Sequence, residues 1–200
     1  VEQSNTNKLE AAIQSLQQAL NLYREINERK GELAVLQVLG TTYCHLGNYT
    51  QAIETAQQQL LIAQKIKNRQ QEALALSTLG SAYDALSNYS QAIKYHEQSL
   101  AIAREIKDRR GEALALLNLG NLHNTLDDYE KAINYYEQSL SIAREIQNPE
   151  NEMNALNNLG DVYYSLGDSD KALNYREQSL LIARKSQNSG AEAIVIGGLG

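Results

Sequence analysis

The stretch Leu36-Gln37-Val38-Leu39-Gly40-Thr41-Thr42-Tyr43-Cys44-His45-Leu46-Gly47-Asn48-Tyr49-Thr50-Gln51-Ala52-Ile53 decides the architecture, because its pattern returns every forty residues. Leu-Gly recurs as Leu39-Gly40, Leu79-Gly80, Leu119-Gly120, Leu159-Gly160 and Leu199-Gly200. Leu36, Leu76, Leu116 and Leu156 stay in phase, as do Ala52, Ala92, Ala132 and Ala172, and Leu60, Leu100, Leu140 and Leu180. Tyr43, Tyr83 and Tyr163 align with His123. A period of this length marks a repeat array rather than a single globular domain.

Each unit reads as two helices. Leu33, Leu36, Leu39, Gly40, Tyr43 and Leu46 fall at three- and four-residue steps, the spacing of one helix face. The pattern breaks at Leu46-Gly47-Asn48. Gly47 and Gly167 suit a left-handed residue after a helix, with Ser87 and Asp127 in their place elsewhere. Asn48, Asn88, Asp128 and Asp168 then stand where an N-cap would accept bonds from free amides. The second helix carries Ala52, Ile53, Leu60, Ala63 and Ile66, with Lys65 or Arg104 near the negative end of its dipole. The return turn is Asn68-Arg69, Asp108-Arg109 or Asn148-Pro149. The single proline falls at a first helical position, which needs no N–H. A glycine inside a helix costs about 1 kcal/mol relative to alanine. Its repetition at Gly40 and equivalents predicts close helix approach, with Ala52 and its equivalents as the expected partners.

The pattern Leu-x-x-Leu-Gly-x-x-Tyr followed by Leu-Gly-Asn-Tyr-x-x-Ala-Ile resembles the tetratricopeptide repeat over residues 8–200. The forty-residue unit is longer than the usual thirty-four and is similar to Partner-of-Inscuteable, kinesin-light-chain-like and bacterial arrays. It lacks the Trp usual at the Leu36 position, and Ala56, His96, Tyr136 and Arg176 stand where a large aromatic is common. The resemblance implies an all-α fold, a right-handed superhelical α-solenoid of antiparallel helix pairs, with first helices lining a concave groove.

The expected division is a lone second helix over 1–29, repeats over 30–69, 70–109, 110–149 and 150–189, and the start of a further repeat over 190–200. Both ends read as cut from a longer array, since solenoid ends need polar caps. The net charge of −6 argues against nucleic acid and against an anionic membrane surface. No apolar run approaches the roughly 20 residues of a membrane-spanning helix, and no signal peptide is visible. One cysteine, Cys44, cannot form an internal disulfide and suits a cytoplasmic protein.

No catalytic set, cofactor motif or metal site is evident. The helix-internal glycines make no phosphate loop. His96-Glu97 lacks a second His at zinc spacing, and Asp168-Ser169-Asp170 lacks the glycine and distal Glu of a calcium loop. His123 replaces a repeat tyrosine and reads as a packing residue. Cys44 reads as an unreactive free thiol without a His–acid set.

Binding chemistry lies on the other face of the first helices. Subtracting the buried phase leaves Gln37 and Thr41 in the first repeat and Ser77 and Asp84 in the second. The third offers Leu114, Leu117, Asn118, Asn121 and Asn124. The fourth offers Asn154, Asn157, Asn158, Asp161 and Tyr164. The asparagines form an amide ladder, and Asn is a poor helix-interior residue. An amide side chain donates and accepts, so it can bracket a peptide backbone. The resemblance implies that Asn118 and Asn158 do so. The cationic clamp of chaperone-binding relatives is missing, with Ser77, Leu117, Leu114 or Asn154 at its positions. Leu74, Leu114 and Leu117 add an apolar strip. The expected function is a non-catalytic scaffold for a protein or peptide, with a sensor region of a larger protein, or self-association through end repeats, as alternatives.

Overall fold

A computed structural model describes residues 2–186, with side chains from residue 10 on. Among these residues every regular element is a helix. The helices are α1 (Glu2–Glu25), α2 (Arg29–His45), α3 (Tyr49–Lys65), α4 (Arg69–Ala85), α5 (Tyr89–Glu105), α6 (Arg109–Thr125), α7 (Tyr129–Glu145), α8 (Pro149–Ser165) and α9 (Ser169–Lys185). The expected start of a further repeat over 190–200 lies outside the described residues. The chain divides into two compact units, 1–102 and 103–200.

The turns follow from backbone geometry. Gly47 and Gly167 take φ of 74° and 79°, and Ser87 and Asp127 take 57° and 56° in the same role. Each reverses the chain and lets the next amide reach back, as Asn48 N does to Tyr43 O at 2.9 Å. The turns between second and first helices use the same device at Lys67, Lys107 and Gln147, where the sequence shows no glycine.

The N-caps hold in part. Asn68, Asp108, Asn148 and Asp168 accept bonds from amides three residues on, and Asn88 accepts a long one at 3.4 Å from Gln91 N. Asp128 makes no side-chain cap bond to α7; its carboxylate holds Lys131 Nζ at 2.7 Å, a pairing that Asp168 also makes with Lys171 while capping α9. Asn48 makes no side-chain cap bond either. α2 is capped by Glu28, whose carboxylate takes the amides of Lys30 and Gly31.

Within the first unit α2 packs on α3, α3 on α4, and α2 also meets α4. Within the second, α6 packs on α7, α7 on α8, α8 on α9, and α6 meets α8. First helices therefore neighbour one another inside each unit, with second helices behind them. The in-phase Leu36, Leu76, Leu116 and Leu156 are buried, as are Ala52, Ala92, Ala132 and Ala172. Each fully buried leucine contributes about 2 kcal/mol.

The nearest neighbours of the slot glycines are side chains other than the expected Ala52 and its equivalents. A Cβ at Gly120 would stand 2.5 Å from the Tyr136 ring, and one at Gly80 2.6 Å from the His96 ring. At Gly160 the neighbour is Arg176 Cγ at 3.0 Å. Ala172 O also comes close there, at 3.3 Å, whereas no atom of Ala52 lies within 4 Å of a Cβ at Gly40. Each glycine thus opens a slot for the side chain sixteen residues on. The alanines are small because they lie buried in the core beside that slot. In the first repeat that residue is Ala56, and Gly40 faces Thr78 Cγ2 at 3.3 Å instead.

Candidate functional site

In the second unit, α6 and α8 bring Asn121 and Asn158 together. Asn158 Nδ2 donates to Asn121 Oδ1 at 2.8 Å, and Tyr136 Oη donates to the same oxygen at 2.8 Å. Tyr136 belongs to α7, behind the first helices. Its ring passes through the Gly120 slot and its hydroxyl emerges beside Asn121. Burial, with the Asp161 carboxylate nearby, pushes its phenol well above the ordinary tyrosine range, so it stays a donor. One repeat later Arg176 of α9 runs past Gly160 to Asp161, Nη2 to Oδ1 at 2.8 Å. Its guanidinium also lies 5.5 Å from the ring centroid of Tyr164, which is 66% exposed. Tyr136 and Arg176 thus join the face from its back side. The sequence marked their positions as departures from the repeat, and the adjacent glycine was the signal that could have placed them.

Asn118, Asn124 and Asn157 are half-buried on this face, and Asn154 is exposed. Leu114 is 45% exposed, but Leu117 is not part of any apolar strip. It is 8% exposed and packs into the core with Ala155, Leu156 and Leu159. The reason is its position: Leu117 turns toward the following first helix rather than outward, as Gln37 does toward Gln71 of α4.

The first unit shows that turn in polar form. Gln71 Nε2 donates to Gln37 Oε1 at 3.0 Å, and the buried Gln59 donates through Nε2 to Gln71 Oε1 at 2.9 Å. Thr41 is exposed, but its hydroxyl bonds the carbonyls of Gln37 and Val38 in its own helix. Ser77 and Asp84 are half-buried. Burial raises the Asp84 carboxyl above the usual carboxylate range.

His96, His123 and Cys44 are packing residues. His96 is 1% exposed beside Gly80, and burial lowers its pKa to about 4, so it is neutral at pH 7. His123 stacks on Tyr135, as Tyr83 does on Tyr95 and Tyr163 on Tyr175, with centroids 5.4–5.5 Å apart. Its Nδ1 lies 3.2 Å from Asp128 Oδ2 but without hydrogen-bond geometry. Burial raises the Cys44 thiol, the opposite of an activated nucleophile. Among the described residues no group of His, Cys, Asp or Glu is placed to hold a metal, and no helix is long and apolar enough to cross a membrane.

Helix pairs with a slot glycine and a left-handed turn at fixed phase define an all-α helical repeat protein. The tetratricopeptide repeat family model matches residues 32–105 and 111–190, and the chain belongs to that family. It is similar in fold to BtubC (BKLC) from P. vanneervenii, with 22% identity, TM-score 0.78, and coverage of 94% of this chain and 82% of that one. A Rap protein complexed with competence and sporulation factor aligns at 17% identity and TM-score 0.84, over 97% of this chain and 54% of the other. A signal transduction ATPase with a tetratricopeptide repeat sensor from Pyrococcus horikoshii aligns at 24% identity and TM-score 0.76, over 98% of this chain and 32% of that one. The chain thus spans about half of the Rap protein and a third of the ATPase. No curated protein matches the chain. Membership supports a protein-interaction scaffold in general, and repeats of this family are typically non-catalytic.

Proposed function

We propose that the second unit binds an extended protein segment along α6 and α8, with Asn118, Asn121 and Asn158 holding its backbone. The observation that carries this is the shared oxygen of Asn121. Tyr136 and Asn158 both donate to it, which fixes the two amides and leaves Asn121 Nδ2 and Asn158 Oδ1 open. One donor and one acceptor match the carbonyl and N–H of a peptide unit. Fixing them beforehand lowers the entropic cost of binding. The exposed Leu114 supplies an apolar contact beside them. The Rap complex supports the reading as a protein of the same fold carrying a bound factor.

The test is capture of partners from the source lysate by the wild type and by a double variant, Asn118→Ala with Asn158→Ala. A partner held by the wild type and lost by the folded variant supports the reading. The same partners on both proteins would move function off this face. A second role, as sensor region of a larger protein, is favoured by the likeness to the ATPase with its repeat sensor. Linking the chain to its neighbouring sequence, and finding partner binding change an activity there, would support it.

A further inference from the structure

The joints between repeats carry a recurring strut that the sequence reading did not see. Arg104 Nε binds Glu112 Oε1 at 2.9 Å while its Nη2 binds Gln138 Oε1 at 3.2 Å. Arg144 does the same with Glu152 at 2.8 Å and Gln178 at 3.0 Å. In the first unit Arg24 does so with Glu32 at 2.9 Å and Gln58 at 2.7 Å. One planar guanidinium thus joins a carboxylate eight residues on to an amide thirty-four residues on, the fork geometry that suits arginine and not lysine.

One joint lacks its arginine. At the equivalent place stands Gln64, which reaches Glu72 Oε1 only at 3.3 Å. Glu72 keeps the i,i+3 bond from Arg69 at 2.5 Å. Glu32 and Glu112 each hold two guanidinium partners, from Arg24 and Arg29 and from Arg104 and Arg109. A cavity of about 310 Å³ opens at the Gln64 joint, reaching Glu72, Leu76 and Gln98. Where Arg144 is present, the cleft between α7 and α9 is walled by that arginine and does not reach Glu152. The carboxylate, the amide and the space are retained; Gln64 replaces the bridging arginine, while Arg69, which also lines the cavity, keeps its bond to Glu72 as Arg109 does to Glu112.

We propose that this cavity of the first unit is a receptor for a guanidinium group, filled by an arginine side chain of a partner protein. The incoming fork would meet Glu72 Oε1 and Gln98 Oε1, as Arg104 meets Glu112 and Gln138. Its alkyl stem would lie on Leu60 and Ile102, which line the same cavity. Glu72, with a side chain 12% exposed, supplies the charge in a place where solvent screens it little. The site is built from α3, α4 and α5 and shares no residue with the face proposed above.

The test is an NMR titration of the full chain with N-acetyl-arginine N-methylamide, its lysine analogue and methylguanidinium. The expected result is weak binding of the arginine compound, on the order of millimolar Kd for a single side chain. Shifts should be confined to Gln64, Glu72 and Gln98, and little binding of the lysine analogue is expected. Gln64→Arg, which restores the internal strut, should fold, melt higher and lose the binding. Absence of shifts, equal shifts with lysine, or binding that survives Gln64→Arg would overturn the proposal. Methylguanidinium binding as tightly as the arginine compound would overturn the protein side chain as occupant.

Discussion

The two units share one backbone pattern but fill the glycine slots differently. In the first unit the slot residues are Ala56 and His96. One is too short to reach the first-helix face, and the other is sealed inside. In the second they are Tyr136 and Arg176, which pass through and present a hydroxyl and a guanidinium to Asn121 and Asp161. The difference shows that surface chemistry on one helix layer is set by residues of the other. The slot glycines keep the fold constant while their partners change what the face can bind.

The largest expected effects separate burial from display. Leu117→Ala should cost about 3 kcal/mol of stability, and Leu114→Ala, on the exposed side of the same helix, well under 1 kcal/mol. Urea midpoints would show it, and equal costs would return Leu117 to the binding face. Next is acid stability. The unfolded chain protonates His96 near pH 6.5 and the folded chain near 4, so unfolding takes up a proton between those values. Stability is full above about pH 6.5 and falls by about 3 kcal/mol toward pH 4. His96→Tyr, which imports the second unit's residue, should flatten that decline. An unchanged pH profile would show that His96 does not control it.

The slots themselves give a smaller contrast. Gly120→Ala should cost about 2 kcal/mol, because the buried Tyr136 ring cannot move aside. Gly40→Ala meets only the methyl groups of Thr78 at 3.3 Å and Thr55 at 3.9 Å, and the gain in helix propensity offsets the crowding. Melting points of the two variants would measure the difference, and parity would remove the slot as a constraint. The smallest effect is Asn158→Ala, which removes one exposed bond and should change stability by under about 1 kcal/mol. A large loss there would make that amide structural.

The period, the helix pairs and the left-handed turns at Gly47 and Gly167 were legible because they rest on spacing and on residues with one conformational use. The partner of the slot glycine was not. Helix periodicity gives the face of a residue but not which turn of the next helix lies over it, so Ala52 stood in for the position sixteen residues after the glycine. Leu117 was misplaced for a related reason. Its stripe borders the next first helix, and whether that border is wet depends on a neighbour forty residues away. Asp128 carries the right side chain for a cap but makes no cap bond, although Asp168 at the same place does. Of the binding face, the sequence exposed the asparagines, but not that Asn121 and Asn158 touch or that Tyr136 supports them. The arginine struts escaped notice because a basic residue at a helix end already had an explanation in the helix dipole.

The left-handed turns have an engineering consequence. Asn27, Lys67, Ser87, Lys107, Asp127 and Gln147 all hold a positive φ without being glycine. An ordinary residue in that region carries about 1 kcal/mol of strain, part of which glycine would return as lost chain entropy. The hinges of the array therefore hold a reserve of stability that can be drawn on one site at a time, away from the binding face and without changing the length of any repeat.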